Sequence, residues 1–159
     1  MTFIVVALIC MAPFLWFRHV TIWEYNAEFR EYKHEFVLVK DYMLQMFPEG
    51  SGYVSVEPIK GNSNQTDRYY YALYDPKTKR YLDCPAEIWS ALQILAKEAF
   101  PNNEGDLTVI RYEDGKISFC AEVAYALVYS PDEVPRSLGR RDKVYCRWAG
   151  GAWYHVRGR

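Results

Sequence analysis

The dipeptide Asp114-Gly115, set between two runs of alternating side chains, most narrows the folds open to this chain. A two-residue turn with positive φ at both central positions matches the twist of paired strands, and Asp-Gly adopts it at little steric cost. Leu107 to Glu113 therefore pairs antiparallel with the residues from Lys116 onward. On the return, Ile117, Phe119, Ala121, Val123, Tyr125, Leu127 and Tyr129 share one face; Ser118, Cys120, Glu122, Ala124, Ala126 and Val128 share the other. Read by period alone, this is one long, bent strand with its apolar face on a core.

The rest of the chain supplies material for that core. Ile22, Tyr25, Phe29, Tyr32, Phe36, Val39, Met43 and Met46 recur at steps of three and four, with no Gly or Pro between Ile22 and Pro48. That spacing predicts a long helix with one apolar stripe. Strict three-four alternation also suits a coiled-coil seam, but Phe36-Val37-Leu38-Val39 widens the stripe and favours packing on a sheet. Strands are predicted over Tyr53 to Ile59 and Arg68 to Tyr74, with a turn at Asp75-Pro76-Lys77-Thr78 and a short return at Arg80-Tyr81-Leu82. Asp83 or Cys84 then caps a helix over 86–100 whose first position is Pro85. Its stripe is Ile88, Trp89, Leu92, Leu95, Ala96 and Ala99. A last hairpin joins Lys143–Trp148 to Trp153–Arg157; with a two-residue turn at Gly150-Gly151, Trp148 would face Trp153 and Cys146 would face His155.

The expected fold is α+β, in the order α-β-β-β-α-β-β-β-β. An N-terminal transmembrane and stalk helix leads in, and its extension and the helix over 86–100 pack on an antiparallel sheet. This order resembles the helix-on-meander pattern of cystatin-like domains, a resemblance that implies a fold and no activity.

Ahead of the domain, Phe3 to Phe17 carry no charge. As a helix rising ~1.5 Å per residue, this run covers ~22 Å of a ~30 Å hydrocarbon layer. Extension to Trp23 closes the gap, with Arg18 and His19 at headgroup depth and Trp16 and Trp23 at the boundary. A cleaved export signal fits poorly, because there is no basic leading region and Pro13 sits where a peptidase would cut. The expectation is a single-pass membrane anchor over 1–23, continuous with the first helix (24–47) of a domain over 24–159. Arg18 argues for a cytoplasmic domain, while the very short leading tail favours an extracytoplasmic one, so the side stays undetermined with a lean outward.

The near-neutral total conceals a split. Before Pro135 the chain has 12 Lys and Arg against 19 Asp and Glu; from Arg136 on it has 7 against 1. The basic stretch is either a solvated edge that balances an acidic body or a docking surface for something anionic. Its binding candidates are Arg136, Arg140, Arg141, Lys143, Arg147, Trp148, Trp153 and Arg157, since interleaved cations and aromatics can meet bases, headgroups or an anionic envelope polymer.

No catalytic constellation stands out. His19, His34 and His155 are scattered, no CxxC or HxxxH spacing exists for a metal, and no Gly-rich phosphate loop or GxSxG elbow appears. Neither a cofactor nor a metal is expected. Two thiols are the remaining candidates: Cys146 as a nucleophile with His155 as base, and Cys84 at a helix N-terminus, where the backbone dipole can favour a thiolate. The sequence thus points to a membrane-tethered, non-catalytic binding module. It meets lipid through Phe3 to Trp23, has a membrane or envelope protein or an anionic polymer as partner, and offers a stalk helix that could pair as a homodimer. A thiol-dependent enzyme is the alternative, and a nucleic-acid or anionic-polymer binder the third reading.

Overall fold

A computed structural model describes residues 25–60, 69–100, 105–121, 125–136 and 144–158 of the chain. The anchor expected over 1–23 lies outside the described residues; among those described, no helix is long and apolar enough to cross a membrane.

The fold is α+β, built on one eight-stranded antiparallel sheet. Residues 25–31 are helical, bend at Tyr32, and continue as α1, Lys33–Met46. The bend does not break the ladder, because Tyr32 N–H donates to the Glu28 carbonyl (3.0 Å) and Phe36 N–H to that of Tyr32 (3.1 Å). The strands are β1 (Gly52–Lys60), β2 (Tyr69–Asp75) and β3 (Arg80–Tyr81), then α2 (Ala86–Lys97). There follow β4 (Leu107–Glu113), β5 (Lys116–Ala121), β6 (Tyr125–Tyr129), β7 (Val144–Gly150) and β8 (Trp153–Gly158). Across the sheet they run β3-β2-β1-β4-β5-β6-β8-β7.

The apolar stripe of the first helix is spent on this sheet. Phe29, Phe36, Val39 and Met43 join one core with Ile88, Leu92 and Leu95 of α2 and with Val54, Leu73, Ile110, Ile117, Phe119, Leu127 and Trp153 of the strands. Four residues of that stripe, Phe29, Phe36, Val39 and Met43, are thus buried within the chain's own core. Phe47, which ends α1, lies on Gly52 so closely that a Cβ there would overlap its ring; the helix-to-sheet corner depends on glycine at that position. At the start of α2, Pro85 occupies the N-cap with no side chain capping it, one residue off the expected placement.

The Asp114-Gly115 turn forms as expected, with φ of 52° and 74° and Glu113 opposite Lys116. The single long strand does not. Lys116–Ala121 folds back on Tyr125–Tyr129, pairing Ile117 with Tyr129 and Phe119 with Leu127, so five strands follow α2 where four were expected. Each pair joins two odd or two even residues, so every side chain stays on the face that straight alternation assigns it. A three-residue connection between such strands is invisible to a period-two reading.

The last hairpin also departs from expectation. Gly150 pairs with Trp153, and an irregularity between Trp148 and Gly150 absorbs Ala149, which moves the register by one. Trp148 then lies opposite Tyr154, Arg147 opposite His155, and Cys146 opposite Val156.

Candidate functional site

The one-residue shift decides the fate of the thiol pair. Side chains alternate faces, so Cys146 and His155 point to opposite sides of the sheet. Cys146 joins a small apolar cluster on the sheet face opposite His155, with Ala126, Val128, Val156 and Cys120, and burial raises its pKa. Cys120 is raised to about 11, by burial and against the pull of Arg111. Cys84, despite its place before a helix, is also raised by burial, with a hydrogen bond to Tyr42 acting the other way. The three are free thiols. Cys120 and Cys146 share a row of that face but are three strands apart, roughly 14 Å at ~4.8 Å per strand, beyond disulfide reach. In all three the largest effect is burial, which raises the pKa, the reverse of the shift that makes a thiolate nucleophile.

His155 instead faces the helices, where β6, β8 and the helical residues 25–31 meet. Its Nδ1 lies 2.7 Å from the Tyr125 hydroxyl and its Nε2 3.0 Å from Oδ1 of Asn26. An amide oxygen can only accept, so Nε2 carries the proton and Nδ1 accepts from Tyr125. Both nitrogens are used, and the ring is neutral: burial lowers its pKa from 6.5 to about 4. Tyr25 packs against Tyr125 and His155 at ring separations of 5.3 and 5.7 Å, and Phe29 closes the other side against Trp153. The space among Tyr25, Glu28, Phe29, Phe100, Tyr125 and His155 has no room for a water molecule. This arrangement is a lock between helix and sheet. The residues that pair with His155 were not singled out from sequence, because Asn26 and His155 are 129 positions apart and nothing local ties them.

The expected binding residues divide between core and surface. Trp153 is buried in the core against Phe29, Phe36, Phe119 and Tyr129, so it does not face Trp148 and offers no stacking surface. Trp148 is 66% exposed, its indole N–H donating to the Gly151 carbonyl at 2.8 Å. Arg136, Arg147 and Arg157 are exposed as well. Arg140, Arg141 and Lys143 lie outside the described residues. Among the described residues, no cluster of His, Cys, Asp and Glu could hold a metal ion.

The two edges of the sheet differ. Beside the two-residue β3, the edge of β2 is occupied: the Gln93 side chain accepts from Tyr71 N–H and donates to the Tyr71 carbonyl, each at 2.7 Å, and Leu82 N–H donates to the Leu73 carbonyl at 2.8 Å. An amide held this way does the work of a further strand. At the far end β7 is the last strand, and among the described residues none pairs with its outer side. Comparison with protein-family models, with curated proteins and with solved structures gives no match.

Proposed function

We propose that this chain is a membrane-tethered, non-catalytic binding module, held at a bilayer by Phe3 to Trp23 and presenting its sheet to a partner there. The observation that carries the reading is where the uncharged run leads. Phe3 to Phe17 is followed within a few residues by a helix whose Tyr25, Asn26 and Phe29 are fastened to β6 and β8 through the His155 lock. A tether joined to a packed helix, with no long linker between, would hold the sheet in a restricted orientation to the bilayer. The state of the candidate catalytic groups supports the non-catalytic half: the histidine has both nitrogens engaged, and each described thiol has its pKa raised.

Flotation of the full chain on a density gradient tests the tether. The chain should float with membranes, resist high salt and alkaline carbonate, and come free only with detergent. Recovery in the aqueous fraction without detergent, or a product trimmed ahead of Tyr25, would overturn the reading.

A further inference from the structure

We infer that the sheet face opposite the helices, over β1, β2 and β3, binds a neutral glycan chain, with Tyr53, Tyr74 and Tyr81 as its stacking surface. The inference goes beyond the binding-module reading and does not rest on the tether. Alternation sets the face. Val54, Val56 and Leu73 are buried in the core, so Tyr53, Ser55 and Glu57 of β1 and Tyr74 of β2 point the other way. Tyr81 of β3 lies opposite Tyr74, and Arg111 of β4 opposite Tyr53, on that same side. Tyr53 and Tyr81 are 48% and 52% exposed, whereas Ala126, Val128 and Val156, at the other end of this face, are buried. Large rings gathered in water and rimmed by polar groups mark a contact surface.

The chemistry of the patch selects the ligand. A tyrosine ring offers a rigid face of negative π density, and the C–H groups along one side of a sugar ring are apolar and weakly positive. Tyr74 and Tyr81 meet at 5.3 Å and 63°, a corner that takes a sugar against the face of one ring and the edge of the other. Groups for hydroxyls stand around them. One oxygen of Glu57 accepts from the Tyr81 hydroxyl at 2.9 Å, and the other accepts nothing among the described residues. Arg111, with no ion pair among the described residues, supplies donors beside Tyr53, and Ser55 lies opposite Tyr74. The charges of Glu57 and Arg111 cancel across the patch. A polyanion would meet Glu57 and a polycation Arg111, so the complementary ligand is uncharged and rich in hydroxyls. Tyr53 and Tyr81 stand two strands and two residues apart, roughly 12 Å at ~4.8 Å per strand and ~3.4 Å per residue, which suits a chain of sugars over a single ring.

Titration of the full chain, in nanodiscs of neutral lipid, with cellohexaose, chitohexaose and mannohexaose tests this by ligand-observed NMR. At least one should bind saturably. Removing one ring should weaken that binding about fivefold, both in Tyr81→Ala and in Tyr53→Thr, the second keeping strand propensity. Tyr81→Phe keeps the ring and should weaken it only about twofold, through the lost hydrogen bond to Glu57. If Tyr53→Thr does not fold, Tyr81→Ala decides, since β3 is a two-residue edge strand. No binding of any of the three, or binding that Tyr81→Ala leaves intact, would overturn the inference. So would a partner protein that shields Tyr53 and Tyr81 from labelling where the sugars do not, which would assign the face to protein. A chain that floats with membranes yet ignores every hexasaccharide sinks the inference alone; one that binds sugar but stays aqueous sinks the tether alone.

Discussion

At His155, burial and two hydrogen bonds act on the same imidazole, and the proton balance sets how the fold answers to pH. The folded ring has a pKa of about 4 against the ordinary 6.5, so as pH falls the unfolded chain takes up the proton first. The stability held by the neutral ring is therefore complete above about pH 6.5 and drains away as pH drops toward 4. The loss is on the order of 3 kcal/mol over that interval. Urea unfolding followed between pH 7 and pH 4.5 should show this decline, and His155→Gln should flatten it. Tyr125→Phe leaves Nδ1 without its donor and should cost about 1–3 kcal/mol at pH 7. An unchanged midpoint in Tyr125→Phe would mean that the 2.7 Å contact adds nothing.

Secondary-structure elements show where sequence reading succeeds and where it stops. The Asp114-Gly115 turn was legible because its φ requirement is local, and the stripe from Phe29 to Met43 because helix period and burial coincide. The fold-back between Ala121 and Tyr125 was not legible, since pairing odd residues with odd residues leaves the alternation intact. The Trp148–Trp153 pairing failed for the reverse reason: absorbing one residue, Ala149, changes every partner along β7. Of the candidate site, the exposed Trp148 and Arg147 could be read from a basic aromatic hairpin, but Asn26 and Tyr125 could not, being brought to His155 by tertiary structure alone. The closed edge of β2 belongs to the same class, because Gln93 reaches Tyr71 across 22 positions. Gln93→Ala should speed hydrogen exchange at the Tyr71 amide and lower stability by about 1 kcal/mol, as partly buried backbone groups lose their partners. Unaltered exchange at Tyr71 would show that the edge is protected by something else.

Across the described residues, one sheet packs both helices against it, is closed at one edge, and ends at the other in β7, where Arg147 and Trp148 are exposed. Its first helix is locked to the sheet, and under the proposed tether this would hold a fixed platform next to the bilayer. The account as a whole claims that a partner meets this platform through the exposed Arg147 and Trp148. Photo-crosslinking in native membranes tests that most directly, with a light-activated phenylalanine analogue replacing Trp148 at one edge or Tyr81 at the other, the two being 66% and 52% exposed. The account predicts a discrete protein adduct from position 148 that is absent from position 81 and lost when Arg147→Glu is added. The same adduct from both positions, or none from 148, would contradict it.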